Sequence, residues 1–192
     1  MISAVGLGLV PDQVRDIIYD KVEVNLMARL IIRLAAVKQL NRRKKIRLGP
    51  EIYQIAGIPC FVTIATKGKQ KKFSNQDLAH DFVALLKKLC GENNIPIYAY
   101  CIMPDHVHLL INASDRKGIV EFVREIKSLS TRIAWQHGYN GTIWQRSFYD
   151  HFLRRDEDCE MVASYIVHNP VRKGMVEDWR EYPFSGSLVY EL

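Results

Sequence analysis

The chain of 192 residues is 48% hydrophobic and 25% charged, with a net charge of +6. That is the make-up of an ordinary globular domain with room for a sizeable core and an appendage. No apolar run approaches the roughly 20 residues that span a bilayer, and the start, MISAVGLGLVPDQ, lacks the basic beginning and long apolar centre of a secretory leader, so the expectation is a cytoplasmic protein with no membrane partner.

The charge is uneven. Residues 1–50 carry 10 Lys and Arg against 4 Asp and Glu, and residues 51–192 carry 17 of each sign. The excess is densest in NRRKKIR, residues 41–47. Arg42, Arg43, Lys44 and Lys45 in this run are candidate phosphate contacts, and a solvated linker is the alternative. The helix before it is read from Leu26, Leu30, Leu34 and Val37, which follow the 3.6 period and leave Arg29, Arg33 and Lys38 outward. It stops before LGPE, a Gly-Pro breaker. These features divide the chain into a basic, helical extension over 1–49 and a second domain over 50–192.

Past the breaker the pattern changes. CFVTIAT (60–66) is short and β-branched, a strand. NQDLAHDFVALLKKLCGEN opens on a capping Asn and closes with Gly91, a helix. PIYAYCIM and HVHLLIN are two strands around the turn Pro104-Asp105. GIVEFVREIKSLSTRIAWQHG is a second helix with Ile119, Phe122, Val123, Ile126, Leu129 and Ile133 inward. RSFYDHFLR is a fourth strand, and DEDCEMVASYIVHNP is an acid-started helix ended by Pro170. The order from 60 to 154 is β-α-β-β-α-β, an α+β, ferredoxin-like split-βαβ arrangement with one added helix. Its first and third strands are central, and its sheet has one face for the added helix or for the histidines. The four cysteines show no CxxC spacing and read as reduced, mostly buried residues.

Two histidines one residue apart on a strand, His106 and His108, share a sheet face. They are either metal ligands or a polar pair on a wet surface. In the closing helix Tyr165 and Asn169 stand four apart and so share a helical face, although Pro170 places Asn169 at the helix end or just beyond. On helix pattern alone Tyr165 reads as a core tyrosine whose hydroxyl finds a partner.

Together, MPDHVHLL, GTIWQRSFYDHFLR and YIVHNPVRKGMV resemble the blocks of the single-tyrosine transposases with a His-hydrophobic-His motif, the insertion-sequence group that includes the REP-associated tyrosine transposases. GPEIY, GIPCFVTI and PFSGS match in place and order, so the resemblance covers about residues 50–187. It implies that His106, His108 and Asn169 are ligands of a divalent Mg or Mn ion and that Tyr165 is the nucleophile. It also implies endonuclease and strand-transfer activity on single-stranded or hairpin DNA, from a palindromic repeat, through a 5′-phosphotyrosine. The family contains dimers and monomers. Asp105 stands where relatives often have Asn, which gives its side chain no expected role beyond the turn. Arg146, Arg154, Arg155, Arg172 and Lys173 are candidate phosphate contacts, and Trp144 and Phe148 candidate base-stackers. Two rivals stay open: a DNA-binding protein that no longer cuts, and a metal phosphoesterase that uses water.

Overall fold

The computed structural model describes residues 50–154 and 157–192. The expected basic extension over 1–49, with Arg42, Arg43, Lys44 and Lys45, lies outside the described residues, as does Arg155.

The elements follow the expected order: β1 (Cys60–Ala65), α1 (Gln76–Glu92), β2 (Ile97–Met103), β3 (His106–Ile111), α2 (Ile119–Gln136), β4 (Tyr149–Phe152), α3 (Cys159–Val167), a single turn α4 (Asn169–Arg172) and a short β5 (Ser185–Gly186). One antiparallel sheet runs β4-β1-β3-β2-β5, so β1 and β3 are central, as the ferredoxin-like reading requires. Among the described residues no helix is long and apolar enough to cross a membrane.

Strand alternation divides the sheet into two unlike faces. Val62, Ile64, Val107 and Leu109 lie on one face and are wholly buried. The α1 helix serves this side: Lys87 on it places Nζ 5.8 Å from the ring of Tyr100, the cross-strand partner of Leu109. Thr63, Ala65, His106 and His108 lie on the opposite face and are all half-buried. There α3 packs against β2 and β3, and Ser185 on β5 donates to Val167 O at 3.0 Å. The β1–β4 half of this face stays more open, with Tyr149 and His151 half-buried. The histidine strand therefore marks the border between covered and open sheet.

Three local details depart from the expected pattern. Gly91 does not close α1; the helix runs on to Glu92, and Asn93 donates through its side chain to Leu89 O at 2.7 Å while Asn94 takes the left-handed conformation at φ 52°. On α2 the buried line passes from Ile126 to Ser130 and Ala134, leaving Leu129 and Ile133 at its margin. The reason is Trp144, whose indole N–H donates to Ser130 Oγ at 3.0 Å and occupies that turn. Trp144 is itself buried, and so belongs to the core and not to a base-stacking surface. Third, α3 ends at Val167, and Pro170 sits in the first turn of α4, where its missing N–H costs no helical bond.

Burial pushes the thiols of Cys60, Cys90 and Cys101 up from 9.0 to about 12. The unfolded chain loses these protons near pH 9 while the folded chain keeps them. Their contribution to stability is therefore intact below pH 9 and is lost as pH rises toward 12. Urea unfolding should show stability falling across that window, by up to about 1.4 kcal/mol per pH unit for each thiol, and Cys90→Ala should make the fall shallower.

Candidate functional site

The site is built on a two-residue turn. β2 ends at Met103, Pro104 and Asp105 reverse the chain, and β3 begins at His106. Register then sets His106 between Ala65 and Met103, and His108 between Thr63 and Cys101. Being on a central strand, both histidines are fixed by neighbours on either side.

The two imidazoles meet nitrogen to nitrogen. His106 Nε2 and His108 Nε2 are 3.0 Å apart, and the rings stand nearly perpendicular at 76°. Each outer nitrogen is held: His106 Nδ1 by Asp105 Oδ1 at 2.5 Å, and His108 Nδ1 by Thr63 Oγ1 at 2.9 Å. Phe61 stacks on His108 with centroids 5.3 Å apart. The result is one chain, Asp105–His106–His108–Thr63, with both Nε2 atoms at its centre.

Proton accounting shows what this chain can do. Asp105 only accepts when ionised, so His106 carries its proton on Nδ1 and offers a lone pair from Nε2. His108 Nε2–H then donates to that lone pair, and His108 Nδ1 accepts from the Thr63 hydroxyl. A metal takes lone pairs from both Nε2 atoms, which requires the His108 proton on Nδ1. The Thr63 hydroxyl both donates and accepts, so it suits either tautomer. With both Nε2 atoms 3.0 Å apart, the two imidazoles could each offer a lone pair to one divalent ion. The residues present fit a divalent ion. Among the described residues no cluster of three or more His, Cys, Asp and Glu side chains is placed to hold a metal, so further ligands would be amide, phosphate or water oxygens.

Tyr165 and Asn169 form a second group, joined by Arg172. The guanidinium lies 3.6 Å from the centre of the Tyr165 ring, donates to Tyr165 O at 2.5 Å, and donates to Asn169 Oδ1 at 2.7 Å. Asn169 Nδ2 donates to Ile166 O at 3.0 Å. Both ends of the buried amide are thus used locally. The structure brings the two histidines together on β3 and ties Tyr165 to Asn169 through Arg172. Arg172 keeps an exposed side, as do Arg146, Arg154 and Lys173. The Arg154 amide is tied down by Glu157 at 2.7 Å, and the Arg146 carbonyl by Lys127 Nζ at 3.2 Å.

Sequence reasoning missed two residues that orient the site and one that borders it. Asp105 and Thr63 orient the histidines, and only the strand register shows that Thr63 faces His108. Tyr149, which shares no helix face with a possible ligand, pairs with Thr63 and so shares the histidine face. Burial, then Asp150 and Glu157, push its phenol up, so it holds its proton more firmly than a free phenol.

A split-βαβ sheet with paired histidines on its central strand and a tyrosine helix across the same face defines a class of DNA-processing enzymes. Residues 58–169, more than half of the chain, match the family model described as "Transposase IS200 like". A Haemophilus influenzae protein assigned to the REP-associated tyrosine transposases is 30% identical over 138 residues, covering 65% of this chain and 77% of its own. The REP-associated tyrosine transposase of Escherichia coli is 25% identical over 136 residues, covering 69% and 78%. A solved structure of a REP-associated tyrosine transposase bound to a REP hairpin matches with a TM-score of 0.58 at 25% identity, over 74% of this chain and 82% of that one. The chain belongs to the IS200-like transposase family and is a DNA-cleaving transposase.

The orienting pair can be tested without touching a ligand. Asp105→Ala and Thr63→Val should each weaken Mn²⁺ binding by about 10- to 100-fold while leaving the fold intact. Calorimetric titration with Mn²⁺ checks this, and unchanged affinity in both variants would remove them from the site.

Proposed function

We propose that this transposase cuts one strand of single-stranded or hairpin DNA through a covalent bond between Tyr165 and the 5′ phosphate, assisted by a divalent ion on His106, His108 and Asn169. The observation that carries the reading is the pair of imidazoles held with both Nε2 atoms convergent and both Nδ1 atoms engaged. A merely wet sheet face has no need of that arrangement. The hairpin substrate is supported by the related structure, whose transposase is bound to a REP hairpin.

The bound ion would draw charge from a non-bridging phosphate oxygen. Mg²⁺ favours all-oxygen sites, so two nitrogen donors tilt the set toward Mn²⁺. The Tyr165 oxygen attacks phosphorus and loses its proton, and the 3′-oxygen leaves and is protonated. One phosphoester replaces another, so the reverse attack by the 3′-hydroxyl rejoins strands without an external energy source. Arg172 holds the Tyr165 ring, the Tyr165 carbonyl and the Asn169 oxygen together. For Asn169 to complete the ion's ligands, Arg172 has to share or release that oxygen. Arg146, Arg154, Arg172 and Lys173 present exposed charge for the phosphate backbone; Arg155 and the run Arg42–Lys45 are candidates from the sequence alone.

Tyr165→Phe removes one oxygen and changes packing little. The protein should still fold and bind a labelled hairpin, but denaturing gels should show no protein–DNA adduct. Tyr149→Phe should form the adduct normally. Normal cutting by Tyr165→Phe, or cutting that releases only free DNA from the unaltered protein, would replace this reading with water-driven hydrolysis.

A further inference from the structure

We propose that residues 66–72, TKGKQKK, form a strap that grips the phosphate backbone of the DNA strand running into the histidine pair. This rests on the DNA-cutting reading above but concerns a segment that reading does not use.

The strap is fastened to the turn that positions His106. It leaves β1 directly after Ala65, the cross-strand partner of His106. At its start the Thr66 amide donates to Asp105 O at 3.0 Å, and the Thr66 hydroxyl, wholly buried, lies 3.0 Å from Asp105 O and 2.7 Å from Gln70 O. Just past its end the Phe73 amide donates to Pro104 O at 3.0 Å. A third fastening is the Lys67 amide on Ile143 O at 2.8 Å. Lys72 is buried, with Nζ 4.7 Å over the Tyr139 ring, and Tyr139 donates back to Lys72 O at 3.0 Å. The backbone is therefore pinned to the part of the molecule that sets the histidines.

The side chains behave differently. Lys67, Lys69 and Lys71 are exposed, and among the described residues none of their ammonium groups meets a carboxylate or any hydrogen-bond acceptor. No acidic residue occurs from 66 to 75. Gly68 at φ 64° is followed by Lys69 at φ 53°, so a lysine occupies the left-handed region that glycine adopts freely. Held strain of this kind is a common companion of function. Arg146 adds a fourth exposed cation at the same end of the sheet, since the neighbouring Gln145 amide donates to Ala65 O at 2.9 Å.

Residues 51–192 are neutral overall, so a DNA-binding surface here must be a local concentration of charge. Several spaced cations on a fixed backbone suit a polymer of phosphates better than one isolated anion, and each neutralised phosphate releases a counterion. Anchored to Asp105, the strap would present the strand at the histidine pair.

The test uses the full chain carrying Tyr165→Phe, so that binding is read without cutting. Its affinity for a labelled hairpin with a single-stranded extension is measured from about 50 to 200 mM salt. K67Q/K69Q/K71Q should lower the slope of log affinity against log salt by about 2, at about 0.7 per lost contact, and weaken binding by about 10- to 100-fold. Mn²⁺ affinity should not change. Lys69→Gly should weaken binding without loss of thermal stability, because glycine suits that backbone. K87Q/K88Q on α1 should change nothing. An unchanged slope and affinity in the triple variant overturns the proposal. Adduct formation by protein with native Tyr165 reports on the cutting reading separately, so the two can fail independently.

Discussion

Two imidazole nitrogens held 3.0 Å apart, with a carboxylate behind one ring and a threonine hydroxyl behind the other, are the constraint on which the rest of this structure turns. Left alone, two neighbouring histidines on a strand would sample several rotamers and tautomers. Asp105 and Thr63 restrict them to arrangements in which both Nε2 atoms face one point. The restriction is possible because β3 is central: Thr63 arrives from β1 by strand register, and Asp105 from the tight turn to β2.

The same constraint explains the division of the sheet. One face is filled by aliphatic side chains and served by α1, which leaves it no chemistry. The other is shared between α3 over β2–β3 and a more open region over β1–β4. The histidines lie on the border, where a substrate can approach from the open side while the tyrosine helix covers the other. Arg172 makes Tyr165 and Asn169 a single unit, so a movement of one is felt by the other. The exposed lysines after β1 join this picture because their backbone is bonded to the turn that carries Asp105.

Much of the architecture was legible in the sequence. β-branched runs, capping residues and the Pro104-Asp105 turn placed the strands and helices, and the order of elements implied which strands are central. The His-x-His spacing implied a shared face by strand geometry alone. What was not legible depends on particular side-chain contacts, some local and some between distant segments. Gly91 reads as a helix stop, yet the helix runs past it because Asn93 and Asn94 provide a better ending. Leu129 and Ile133 read as inward, but Trp144 claims the turn at Ser130. The partnership of Thr63 with His108 spans 45 residues and has no local signature. Nor does that of Arg172 with Asn169, since a basic residue three positions on reads first as surface charge. The lysines at 67, 69 and 71 have no sequence signature either, because the charge excess lies in the first 50 residues.

The most direct test of the central claim is X-ray absorption at the manganese edge on the full chain loaded with one Mn²⁺. The chain has six histidines, and the account predicts that two of them supply imidazole nitrogen to the ion, with oxygen completing its shell. His106→Ala and His108→Ala should each reduce that number by one. An all-oxygen shell, or a two-nitrogen shell unchanged by both substitutions, would contradict the account.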